Sequence, residues 1–209
     1  MASAHSEQAP PAADFTALKL LVAGGFGVGK TTLVASVSEI RPLRTEEQLT
    51  EASRPVDDLQ GVETKTTTTV AMDFGRITLA DDLVLYLFGT PGQDRFWFVW
   101  DELATGALGA VVLADTRRLA DCFAAVDYFE SRGIPFTIAV NCFDGVRTHT
   151  PESVRRALDL PPDVPVSLCD VRDRASGKDV LITLVEHVLH HAEQTSRDAS
   201  VPSPKQWPL

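Results

Sequence analysis

Short apolar runs alternate with helical stripes along most of this chain. Leu18–Ala23, Leu108–Ala114 and Phe136–Val140 are short and apolar, as strands buried on both faces are. Val70–Leu79 and Leu83–Phe88 read as two more strands, joined at Ala80-Asp81-Asp82. Helical patterns cover Thr31–Ile40 and the stretches near 118–132, 151–158 and 178–192. In the last of these, Val180, Leu181, Leu184, Val185, Val188 and Leu189 form one stripe. Strands alternating with helices predict an α/β fold in three layers, with a mostly parallel sheet covered on both faces. Ligands of such sheets sit at the carboxyl ends of the strands.

The pattern breaks in three places. Residues 41–68 are polar and acidic, with Pro42 and Pro55, and read as a long loop with room for one helical turn. Residues 1–15 are rich in Ala, Ser and Pro, and residues 194–209 show little periodicity. Both ends are expected to be disordered, which leaves one domain over 16–193.

Composition narrows the function classes. At 44% hydrophobic and 23% charged residues, the chain can form a sizeable core. No apolar run reaches the roughly 18 residues that span a bilayer. The N-terminus lacks a basic region followed by an apolar stretch, Ala2 excludes myristoylation, and Lys205–Leu209 lacks a prenylatable cysteine. A cytoplasmic location is expected, with no direct membrane insertion and any membrane contact made through a partner. The net charge of −10 offers no basic face for nucleic acid. Cys122, Cys142 and Cys169 are odd in number and far apart, which suits reduced thiols.

Chemistry enters at the end of the first strand. Gly24-Gly25-Phe26-Gly27-Val28-Gly29-Lys30-Thr31 matches the full phosphate-loop pattern G-x-x-x-x-G-K-[ST], after a strand and before a helix. Glycines let backbone N–H groups turn toward phosphate oxygens, and the helix N-terminus adds partial positive charge. Lys30 is expected on the β- and γ-phosphates and Thr31 on Mg²⁺. Thr32 follows in the same nucleotide-binding segment.

Further segments fall at the ends of later strands. Gly89-Thr90-Pro91-Gly92-Gln93-Asp94 resembles the Asp-Thr-Ala-Gly-Gln-Glu segment of Ras-like small GTPases, and Asn141-Cys142-Phe143-Asp144 resembles their Asn-Lys-x-Asp motif. Thr69-Val70-Ala71-Met72-Asp73-Phe74 is similar to the switch I exit of Rab-like members. With the phrases LYLFGTPGQDRFWF and IAVNCFDG, the chain most resembles the bacterial MglA-like branch, and within it the conservon GTPases of the CvnD type.

The resemblance implies a six-stranded Ras-like G domain that binds GTP or GDP with Mg²⁺ and hydrolyses GTP as a signalling switch. It implies that Gly92 donates to the γ-phosphate and that Gln93 positions the attacking water, with Lys30 as the other catalytic group. Asn141 would brace the site and Asp144 would read guanine. Cys169 and Asp170, in Ser167-Leu168-Cys169-Asp170, stand where the family has its last base-contacting loop. Thr69 would close on Mg²⁺ and the γ-phosphate; the same run also fits β-branched residues entering a strand. The implied partners are a roadblock-type protein, a sensor histidine kinase, and activating and exchange proteins.

Four departures from the Ras pattern bear on mechanism. Gly89 replaces the Asp that holds a Mg²⁺ water, so metal affinity falls or a nearby Asp substitutes. Phe26 replaces a glycine beside the γ-phosphate and could crowd Gln93 or an incoming arginine, which predicts slow hydrolysis. Cys142 replaces the Lys whose stem packs over the base, and Pro91 stiffens the start of switch II. A non-hydrolysing nucleotide-binding scaffold is the alternative these departures leave open. Phe96-Trp97-Phe98-Val99-Trp100 reads either as a partner surface or as packing of switch II on the core. Arg117 and Arg118 read as helix caps, surface ion pairs or partner contacts.

Overall fold

The computed structural model describes residues 15–41, 43–50, 67–92 and 97–200, with backbone alone at 43–50, 67–71, 97–98 and 198–200. β1 (Thr16–Gly24) lies in the middle of the sheet, and its sequence shows why. Leu20 and Val22 face one layer of helices while Leu21 and Ala23 face the other, and all four are buried. Burying each such Val or Leu side chain contributes roughly 1.5–3 kcal/mol.

The five strands read from the apolar pattern are present, together with a sixth as the resemblance implies. β3 (Thr67–Ala80) and β4 (Leu83–Gly89) form an antiparallel hairpin. β4 and β5 (Gly109–Ala114) flank β1 in parallel, followed by β6 (Phe136–Asn141) and β7 (Val166–Cys169), also parallel. A further strand, β2 (Leu43–Thr50), pairs antiparallel with β3 on the outer edge, giving the order β2-β3-β4-β1-β5-β6-β7. β2 falls where the sequence pattern gives a loop. Its residues are mostly polar and show no apolar alternation, so only its ladder with β3 marks it as a strand.

α1 (Lys30–Val37) and α5 (Arg174–Ser200) cover one face of the sheet. α2 (Trp97–Ala104), α3 (Phe123–Arg132) and α4 (Pro151–Ala157) cover the other, with a 3-10 segment at Thr116–Cys122 leading into α3. α5 runs on to Ser200, so residues 194–200 are helical where the sequence reading places a tail. Trp100 is buried between α2 and α3, stacked on Phe129 and edge-on to Tyr128. Its indole N–H donates to Pro91 O at 3.2 Å, which ties the segment after β4 to the core. For Trp100 the packing reading therefore holds. Phe96 and the side chains of Trp97 and Phe98 lie outside the described residues, as does Gln93.

Candidate nucleotide site

The phosphate loop sits at the carboxyl end of β1, against the ends of β4, β5 and β6. Gly24 has φ 129°, and a Cβ there would lie 2.4 Å from Leu113 O, so only glycine fits. Gly29, at φ 112°, caps α1, which has no side-chain cap and no acid in its first turn. Its first N–H groups are thus left for an external acceptor, and the helix end favours an anion. Thr32 is exposed in this first turn.

Lys30 Nζ donates to Gly24 O and Gly25 O, both at 2.7 Å. Burial pushes its pKa down to about 8, against the opposing pull of the Asp73 carboxylate. Gly92 lies directly over this group: a Cβ on it would sit 2.5 Å from Lys30 Nζ and 3.2 Å from Gly25 O. The segment after β4 thus meets the phosphate loop through a residue with no side chain.

Thr31 Oγ1 donates to Asp73 Oδ2 at 2.5 Å. Asp73 stands opposite Gly89 in the β3–β4 ladder, on the face that carries α1. Thr69 lies further along β3, opposite Gln48 of β2; its side chain is outside the described residues.

The base end is built from β6 and β7. Asn141 is buried, and its amide donates to Val28 O at 3.0 Å while its Oδ1 accepts from Val171 N at 3.4 Å. One side chain therefore ties the phosphate loop to the loop after β7. Asp144 follows in a short 3-10 turn at φ 56°, a left-handed conformation that Asp tolerates better than most residues. Its carboxylate is exposed and accepts from Arg172 at 3.1 Å.

Cys169 does not face this site. Its thiol is buried in the core and donates to Val140 O at 3.5 Å, and burial pushes its pKa up to about 12. Asp170 is instead held by Arg172 at 2.8 and 2.9 Å. The residues of this loop that reach Asn141 and Asp144 are Val171 and Arg172, which pattern matching to the family's short loop missed. Cys142 is also buried, so it offers no stem to pack over a base.

Arg172 holds the Asp170 carboxyl down at about 2. This pairing is complete above the ordinary carboxylate range and is lost as pH falls through about 2. A carbon-13 titration of the Asp170 carboxyl should give a midpoint near 2, returning to the ordinary range in Arg172→Ala. An unshifted midpoint in the parent protein would exclude the ion pair.

Two further arginines come from the segment after β5. Asp115 caps the 3-10 turn by accepting from Arg117 N, and it also pairs with the Arg117 guanidinium at 2.7 Å. That guanidinium lies 4.2 Å over the Phe143 ring, beside Asp144 in sequence. Arg118 Nη2 donates to Phe26 O at 2.8 Å, across the outside of the phosphate loop. The Phe26 side chain is 68% exposed and does not pack into the core. Arg117 and Arg118, read from sequence as helix caps, surface ion pairs or partner contacts, form ion pairs with Asp115 and Asp121 and rim the site on its α3 side.

A family model described as a conserved hypothetical ATP binding protein matches residues 22–191. The chain belongs to that family. Uncharacterized protein MJ1339 of Methanocaldococcus jannaschii is 29% identical over 176 residues, covering 83% of this chain and 96% of that one. The G domain of the T. maritima FeoB iron transporter matches with a TM-score of 0.54 at 18% identity, covering 85% of this chain and 99% of that one. The cytosolic domain of the same transporter matches in its apo form and in a GDP form, with TM-scores of 0.57 and 0.59 at 17% and 15% identity. This chain spans only 64% of the length of those two. At such identities the likeness establishes the fold. It is a P-loop nucleotide-binding fold, a mostly parallel sheet with helices on both faces.

Proposed function

We propose that this chain is a guanine-nucleotide-dependent signalling switch with slow GTP hydrolysis, allied to the MglA-like and conservon GTPases. The observation that carries the guanine preference is the placement of Asp144. Its exposed carboxylate stands beside the loop that Asn141 ties to the phosphate loop. Two carboxylate oxygens match the ring N–H and exocyclic amine of guanine, and adenine offers no such pair of donors. The family description names ATP, so the preference for GTP rests on this residue.

Phosphates would take the N–H groups of the loop and the Lys30 ammonium. Thr31 would hold Mg²⁺, which when bound neutralises phosphate charge. Gln93 would position water. Phe26 at the rim favours slow turnover. GTP would order the segments around Thr69 and Gly92, and hydrolysis would release them. In a cell the switch would work in the cytoplasm with a roadblock-type protein and a sensor histidine kinase.

Calorimetric titration with GDP, a GTP analogue, ADP and an ATP analogue tests the reading. Guanine nucleotides should bind well over tenfold tighter. Equal or tighter adenine binding would overturn it. The exposed Phe26 also favours a second reading, a scaffold that binds nucleotide without hydrolysis. Single-turnover phosphate release at the buffer rate, with nucleotide bound, would select it.

A further inference from the structure

We propose that Arg118 is a positioning residue for the nucleotide phosphates: it holds the carbonyl of the Phe26–Gly27 peptide outward and so aims the Gly27 N–H into the phosphate loop. The inference rests on the reading of that loop as the phosphate site and deepens it.

An anion-binding loop must keep its N–H groups turned inward. In a planar trans peptide the N–H and the C=O point opposite ways, so an inward N–H needs its carbonyl turned outward. Arg118 Nη2 donates to Phe26 O at 2.8 Å from the α3 side of the loop. That carbonyl belongs to the same peptide as the Gly27 N–H. The loop's own packing does little to fix this peptide. A Cβ on Gly24, Gly25 or Gly29 would come within 2.9 Å of a neighbour, so those residues are closely held. Gly27 is not: among the described residues its Cβ would meet one atom within 4 Å, Arg118 Nη2 at 3.8 Å. Gly27 has φ 74°, and glycine takes the opposite sign about as readily. Turning the Phe26–Gly27 peptide over therefore meets little steric resistance, and it would put a carbonyl oxygen where the phosphates must sit. The bond from Arg118 selects against that orientation. It is charge-assisted and so stronger than a bond between neutral groups. A donor on the carbonyl also polarises the N–H of the same peptide.

The guanidinium is firmly mounted. Arg118 lies within the 3-10 segment at φ −144° and ψ 52°, a departure from helical backbone. Its N–H donates to Asp115 O at 2.9 Å. Asp115 is buried and accepts from Arg117 N at 3.0 Å, which fixes the start of the segment. The Arg118 guanidinium also lies 3.7 Å from the Asp121 carboxylate. Its side chain is half-exposed, so replacing it opens no cavity in the core.

A bond that only fastened the segment after β5 to the loop would act on stability and leave binding by the folded protein unchanged. GDP and ADP are titrated in parallel against the full chain, Arg118→Met and Arg118→Lys. Met keeps the stem without a donor, and Lys keeps a charged donor. Whichever diphosphate binds the parent protein should bind Arg118→Met about tenfold more weakly. That is the bias one charge-assisted hydrogen bond places on the peptide, and apparent affinity scales with the competent fraction. Arg118→Lys should recover most of the loss. In nuclear magnetic resonance spectra the Gly27 amide proton should move downfield when that nucleotide binds the parent protein. The shift should shrink in Arg118→Met and return in Arg118→Lys. Parental affinity in Arg118→Met would overturn the proposal, as would equal losses in both variants with an unchanged Gly27 shift. Tighter ADP than GDP binding would overturn the guanine reading while leaving the Arg118 comparison intact.

Discussion

Replacing Lys30 by alanine should weaken nucleotide binding by roughly 10²–10⁴-fold, the equivalent of two charge-assisted hydrogen bonds at about 1.5–3 kcal/mol each. The ammonium is already placed for that work. It sits inside the loop, 2.7 Å from two backbone carbonyls, beneath Gly92. Burial lowers its pKa to about 8, so a nearby phosphate would favour its charged form. The alanine variant also removes the donor that Gly24 O and Gly25 O share, and the loop is expected to loosen. Urea unfolding separates this loss from the loss of binding. Lys30→Met retains the stem without the charge and should bind as poorly as Lys30→Ala. Near-parental affinity in both variants would mean that phosphates do not bind at this loop.

What the sequence made legible follows from how local each constraint is. The phosphate loop was readable because its glycines answer to local geometry: Gly24 and Gly29 need positive φ, and Gly24 has no room for a Cβ. The buried strands were readable because apolar residues on both faces leave an unbroken run. Asn141 and Asp144 were readable as a motif, but what ties them together was not. Asn141 bonds to a carbonyl 113 positions earlier in the chain.

The misses share a cause. β2 is polar, and its evidence lies in a ladder with β3 that no single segment reveals. The end of α5 is polar on every side. Thr195 donates to His191 O there and Arg197 lies 3.8 Å from Glu193, both on exposed side chains, so the apolar stripe stops while the helix continues. Cys169 was placed by matching Ser167–Asp170 to the family's last base-contacting loop. The strand ends at Cys169 with the thiol inward, and the contacts pass to Val171 and Arg172. That Asp73 stands opposite Gly89 was not readable, because it depends on the hairpin register, and a shift between Thr78 and Ala80 alters that register near the turn.

Asp144→Ala should remove most of the discrimination between guanine and adenine. A site that hydrogen-bonds a ligand's polar edge rejects the analogue lacking it far more strongly than a site that only fits its shape. Two bonds to a charged carboxylate correspond to roughly 10²–10⁴ in affinity, so GTP-analogue binding should fall by that order and ATP-analogue binding should change little. Arg172 sharpens the expectation. It bridges Asp144 and Asp170, so it holds the reading carboxylate at the loop mouth before any base arrives. Losing Asp144 frees one arm of that guanidinium while Asp170 keeps the other. The alanine variant should therefore keep its fold and its phosphate contacts, and urea unfolding should show little change. Arg172→Ala, in turn, should weaken GTP binding by a smaller factor, since it removes the brace and leaves the reader. A selectivity ratio unchanged in Asp144→Ala would place the base elsewhere, and the ATP named in the family description would then become the better assignment.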